Sequence, residues 1–232
     1  MKKEFKVIGF DADDTMWVNE PYYRETETAF YGLLSEYLDA EGCAKELYKT
    51  EMKNLGLYGY GAKGFMLSMI ETAQKISKND LPGFAIGRII ELGHELLDKP
   101  VVLIDGIREV LSELNDKGYR LIMATKGDLL DQQRKLAKSK LEPYFHHIEV
   151  MSDKKESDYR KLISHLDIEP SDFLMIGNSM RSDILPVLAI GGHAIHIPFH
   201  TTWVHEEAGG DHDLKNYHKV DNVSEVIELL GI

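Results

Sequence analysis

The chain has one cysteine among 232 residues, and nowhere an apolar run approaching the ~20 residues a membrane-spanning helix needs. Cys43 has no partner for an intrachain disulfide. Its neighbours Glu41, Gly42, Ala44, Lys45 and Glu46 include no histidine to activate it, so it reads as an inert thiol of a reducing compartment. Basic residues are also in deficit: 27 Lys and Arg stand against 39 Asp and Glu, a formal charge of -12. That balance argues against a broad nucleic-acid footprint or an anionic membrane as partner and leaves room for a local phosphate site. The start, Met1-Lys2-Lys3-Glu4, is followed only by the short apolar stretch Val7-Ile8-Gly9-Phe10, so no secretory signal is expected and the cytoplasm is the expected location.

What is present is ordinary for a globular protein, with 43% hydrophobic and 28% charged residues. Five short runs read as buried strands ending at turns or polar clusters: residues 6–10, 120–124, 147–151, 173–176 and 193–197. Helical spacing separates the last four. Ile107, Val110, Leu111 and Leu114 precede the second strand, residues 129–136 follow it, and Tyr159, Leu162, Ile163 and Leu166 precede the fourth. Ile184, Val187 and Leu188 then lead to a helix stop at Gly191-Gly192. Strands alternating with helices predict an α/β, Rossmann-like three-layer sandwich around a central parallel sheet.

The interval from Val18 to about Pro100 contains no convincing strand. Phe30, Leu33, Leu34, Tyr37 and Leu38 form one apolar face, Met66, Met69, Ile70 and Ala73 another, and Ile86, Ile89 and Ile90 a third. The expected division is a catalytic core of residues 1–17 and 100–232 with a helical cap of residues 18–99 inserted after strand one. Such an insert would sit over the carboxyl ends of the strands, where open α/β sheets bind ligands.

The strongest local signal is Asp11-Ala12-Asp13-Asp14-Thr15, directly after the first strand. Asp11 can point into a cleft there, and the turn can bring Asp13 round to the same space. Crowded carboxylates repel unless a cation is present, and a hard oxygen-seeking ion such as Mg²⁺ meets that need. A solvated acidic turn or a helix cap is the other reading. A calcium loop is disfavoured, because Met16 and Tyr22 stand where that pattern needs Gly and Glu. Thr125 follows the second strand, Lys154 the third, and Asn178 and Asp183 the fourth. Singly they read as a turn residue, a solvated lysine and a helix cap. Together they fall at strand carboxyl ends on one edge of a parallel sheet.

With these residues in that order the chain resembles the haloacid dehalogenase superfamily, with a type 1 helical cap. The resemblance covers residues 6–14 and 101 to the end. It implies that strand one lies between strands four and two, that Asp11 attacks phosphorus to form an aspartyl-phosphate, and that Asp13 protonates the leaving oxygen and later takes a proton from water. It further implies that Thr125 and Lys154 hold the phosphoryl group, with Lys155 the weaker lysine, and that Mg²⁺ is bound by Asp11, the Asp13 carbonyl, Asp183 and Asn178. Asn178 stands where many relatives have Asp, which predicts weaker metal binding.

Asp13 argues against dehalogenation, since the family's dehalogenases lack that second acid. The expected activity is a Mg²⁺-dependent phosphatase acting on a small phosphate ester, with a phosphomutase, a phosphonate hydrolase using Lys53 or Lys63, or a non-catalytic phospho-ligand binder as alternatives. Lys63 and Tyr60, in the Gly-rich segment of residues 58–64, are substrate-binding candidates with Tyr58, as are Thr15 and Lys126. Those glycines also suit a simple mobile turn. Trp17 lines an entrance or packs under the cap. Thr201, Thr202 and Trp203 offer side chains to substrate, although nothing in their spacing demands it. His193, His196, His200 and His205 do not have the spacing of a zinc site.

Overall fold

The computed structural model describes residues 5–201, 203–206 and 214–232. It divides into two compact units, one of Met1–Glu20, Val101–Lys126 and Gln132–Ile232, the other of Pro21–Pro100 with Gly127–Asp131.

The first unit is built on β1 (Val7–Phe10), whose four residues are all buried. After the long excursion come α5 (Ile107–Asp116), β2 (Arg120–Lys126), α6 (Leu129–Ser139, which starts in the second unit), β3 (His147–Met151), α7 (Glu156–Leu166) and β4 (Phe173–Gly177). Then follow a π-helical turn (Met180–Ile184), α8 (Leu185–Ala189), β5 (His193–His196), β6 (Tyr217–Lys219) and α9 (Glu225–Leu230). Among the described residues the sheet runs β3-β2-β1-β4-β5-β6, every pairing parallel, with β1 between β2 and β4 as expected.

Alternation along the strands supplies two cores. Ile8, Phe10, Leu121, Met123, Leu174 and Ile176 face one side and meet Val110, Leu111 and Leu114 of α5 and Val226 and Leu230 of α9. Val7, Ile122, Ala124, Phe173 and Met175 face the other and meet Tyr159, Leu162, Ile163 and Leu166 of α7. Burial on both faces is why the inner strands read as continuous apolar runs. The sheet exceeds the five expected strands by β6, a three-residue, half-buried Tyr-His-Lys segment with no apolar run to betray it.

The second unit is helical: α1 (Glu20–Leu33, entering from the first unit), α2 (Ala40–Tyr58), α3 (Ala62–Ile76) and α4 (Gly83–Leu97). Its core joins Phe30, Leu34, Cys43, Leu47, Phe65, Met69, Ile89 and Leu92. The thiol of Cys43 is buried and pushed above its ordinary pKa by that burial. The turn between α2 and α3 uses Gly59 at φ 70° and Gly61 at φ 109°, backbone that other residues rarely adopt. No helix among the described residues is long and apolar enough to cross a membrane.

Candidate active site

At the carboxyl end of β1 the ladder continues one step, with Asp11 N–H donating to the Ile176 carbonyl at 2.9 Å. Asp14 then takes φ 62°, a left-handed conformation that Asp tolerates better than most residues. Its carboxylate accepts from the backbone N–H of Asn19 at 2.8 Å and of Glu20 at 2.9 Å, tying the turn to the start of α1. Burial pushes the Asp14 carboxyl up to about 8, against the pull of those two N–H groups.

That turn leaves Asp11 and Asp13 in different surroundings. Asp11 is buried and paired with the ammonium of Lys154, which also meets Asp183 Oδ1 at 2.7 Å. Thr15 Oγ1 donates to Asp11 Oδ2 at 3.0 Å. Burial, then repulsion from Asp183, push the Asp11 carboxyl up to about 7, while Lys154 pulls it down. Burial alone would lower Lys154, yet Asp11 and Asp183 hold its ammonium well above the ordinary lysine value. Lys155 instead points to solvent and pairs with Asp153.

Asp13 keeps a quarter of its side chain exposed and is gripped by different donors. Trp17 Nε1 and Lys135 Nζ meet its Oδ1 at 2.8 and 2.9 Å, and Gln132 Nε2 meets its Oδ2 at 2.7 Å. Trp17 is wholly buried, so it packs and braces Asp13 rather than lining an entrance. Gln132 and Lys135 were not among the candidates above, although their spacing on α6 puts them on one helix face.

Behind β4, Gly177 is needed because a Cβ there would collide with the Asp183 carboxyl group. The π-helical turn that follows lets Asp183 reach back and accept from Ser179 N–H at 2.9 Å. Asn178 N–H donates to Thr15 Oγ1 at 3.1 Å. Turned over, the Asn178 amide nitrogen would lie 3.3 Å from both the Asp13 carbonyl and Asp11 Oδ2, and 3.2 Å from Thr15 Oγ1. The Asp13 carbonyl, Thr15 Oγ1 and Asp11 Oδ2 thus gather around the Asn178 amide, and carboxylate, carbonyl and amide oxygens are the donors a hard divalent cation takes. Magnesium suits the residues present.

Thr125 is buried at the end of β2, its hydroxyl donating to the Lys126 carbonyl at 3.3 Å. Lys126 Nζ pairs with Glu206 and contacts Ser182 Oγ at 2.9 Å, while Glu206 also accepts from the hydroxyls of Ser179 and Ser182. Burial works against the Glu206 anion, but Lys126 and the two hydroxyls hold its pKa below the ordinary value. Neither Glu206 nor His196, whose Nε2 meets the Asn178 carbonyl at 2.9 Å, was anticipated. Lys63 and Tyr60 belong to the helical unit, where Lys63 pairs with Asp128 at 2.9 Å and Tyr60 is half-buried in the Gly turn. Thr202 lies outside the described residues.

A family model described as haloacid dehalogenase-like hydrolase matches residues 5–191. The chain is a haloacid dehalogenase-like hydrolase. A haloacid dehalogenase-like family hydrolase from Xanthomonas campestris is 38% identical in its crystal structure, covering 97% of this chain and 91% of its own, with a TM-score of 0.87. Two curated relatives of this hydrolase are phosphatases by name. A glyceraldehyde 3-phosphate phosphatase from Pyrococcus abyssi is 29% identical over 94 residues, 38% of this chain and 39% of the relative. An N-acylneuraminate-9-phosphatase from Mus musculus is 28% identical over 111 residues, 46% and 42%. The hydrolase thus matches about two fifths of the length of each.

Proposed function

We propose that the chain is a phosphatase that hydrolyses a small phosphorylated metabolite through an aspartyl-phosphate on Asp11. The observation that carries the reading is the contrast between two carboxylates two residues apart. Asp11 is buried against Lys154, as a fixed nucleophile requires; Asp13 is partly open, so it can exchange protons with solvent, and three donors fix its orientation. Asp11 Oδ attacks phosphorus as the bond to the leaving oxygen breaks, and Asp13 gives its proton to that oxygen. Asp13 then takes a proton from the water that attacks phosphorus and frees Asp11.

Thr125 and Lys154 hold the transferring phosphoryl group, and Thr15, Lys126, Lys63 and Tyr60 contact substrate. The Asp11 and Asp183 carboxylates, the Asp13 carbonyl and Asn178 would hold Mg²⁺, which when bound supplies positive charge to offset that building on the phosphoryl oxygens. Lys53 and Lys63, the candidates for an imine in phosphonate hydrolysis, both stand in ion pairs, with Glu71 and Asp128.

The test is phosphate release from p-nitrophenyl phosphate and from a panel of sugar phosphates, nucleoside monophosphates and phosphoglycolate. Glyceraldehyde 3-phosphate and N-acylneuraminate 9-phosphate join the panel because the named relatives act on them. Turnover is expected with Mg²⁺, lost with EDTA and lost in Asp11→Asn. Equal rates for Asp11→Asn and the parent would end the proposal.

A further inference from the structure

We propose a second metal site, for zinc or another imidazole-binding divalent ion, formed by His147, Glu149 and His165. The three ligand atoms all lie within 4.8 Å of one another. They come from β3 and α7, the two elements on either side of the segment that carries Lys154.

The arrangement follows from the fold. His147 and Glu149 are two residues apart on one strand and therefore share a face. Strand β3 is the outer strand of the sheet, so that face is only half-covered, and the two side chains are 29% and 32% exposed. His165 stands in the last turn of α7, and its ring meets that of His147 edge-on at 5.4 Å. His147 Nε2 and Glu149 Oε2 are 2.9 Å apart. Donors ~2.0–2.2 Å from a tetrahedral zinc stand ~3.3 Å from one another, so the His–Glu pair is already near coordinating distance. Only the exposed His165 ring must swing inward, by about an ångström or two on that geometry. A plain His–Glu hydrogen bond would account for one histidine; it gives no reason for a second to converge from another element.

Two imidazoles and one carboxylate are a common zinc donor set that leaves a position for water. Magnesium does not favour nitrogen ligands, which separates this site from the oxygen-lined one at Asp11. His147 opens β3 and His165 closes α7, so the site lies at the opposite end of these elements from Lys154. A bound ion would clip the two arms of the β3–α7 unit together.

The experiment is calorimetric titration with zinc chloride in excess Mg²⁺. The parent and Asp183→Asn should each take up one zinc equivalent at this site, with His147→Ala and His165→Ala weakening it on the order of 100-fold. Zinc should also raise the unfolding temperature of the parent and leave that of His165→Ala unmoved. His165 is exposed, so its replacement leaves the core intact and a lost response reports the ligand. Equal zinc affinity in the parent and both histidine variants would overturn the proposal, as would uptake by the parent that disappears in Asp183→Asn.

Discussion

Replacing Gln132 by Leu or Lys135 by Met strips donors from Asp13 while leaving every contact of Asp11 in place. If Asp13 is the proton carrier, the loss depends on the leaving group. An alkoxide needs its proton as the bond breaks, whereas p-nitrophenolate leaves nearly unaided. Turnover of an alkyl phosphate should therefore fall on the order of 100-fold, and that of p-nitrophenyl phosphate only a few-fold. A merely structural role would slow both substrates alike, and steady-state kinetics on the two esters separates the cases. At this scale the sequence is most legible where a residue follows a strand. Asp11, Thr125 and Asp183 follow runs that read as buried strands and Lys154 follows the edge strand β3, so sheet geometry gathers them at one edge. Gln132, Lys135 and Glu206 are silent for the opposite reason. They are polar residues on a helix face or in a loop, and only the packed structure shows that they point at Asp13 and Lys126.

Helix α2 lies in the stretch expected to be helical, yet its own apolar face is faint. Its buried positions, Cys43, Leu47, Thr50 and Asn54, keep helical spacing, but half of them are polar, so the apolar stripe fades after two residues. Its start is nonetheless written locally, because Asp39 accepts from Gly42 N–H at 2.8 Å as a cap. Asp39→Ala should cost about 1 kcal/mol of stability and Asp39→Asn much less, read from thermal or urea unfolding. The π-helical turn after β4 leaves no trace in apolar spacing either, because its widening serves the Asp183 side chain. Gly177→Ala tests that element. The added methyl must push the Asp183 carboxyl out of place, at about 1–3 kcal/mol, and Mg²⁺-dependent phosphate release should fall with it. Unchanged Mg²⁺ dependence in that variant would mean that Asp183 is not a ligand.

For the whole molecule, parallel topology was legible because strands and amphipathic helices alternate at their own periods, whereas the place of β1 between β2 and β4 was implied by the family resemblance and the rest of the order β3-β2-β1-β4-β5-β6 comes from the structure. The charge balance was less legible: a chain at -12 concentrates two buried carboxylates around one buried lysine, and the composition shows only the excess. Lys154→Met exposes what that lysine does for folding. It leaves Asp11 and Asp183 facing each other in a dry site, at a cost of roughly 3 kcal/mol or ~10 °C for a chain of this length. The cost must depend on pH. In the parent, burial and Asp183 hold Asp11 up to about 7 despite Lys154, so the folded state binds a proton that the unfolded state releases near pH 4. Stability therefore falls as pH rises towards 7 and levels off above it. Without Lys154 the Asp11 carboxyl rises further, so the variant follows the parent below about 7 and goes on losing stability above it. The gap in unfolding temperature should be modest at about pH 6 and wide at about pH 9, and Mg²⁺ should narrow it at the higher pH by supplying the missing positive charge. A gap of the same size at both pH values would show that Asp11 and Asp183 are not the charges Lys154 balances.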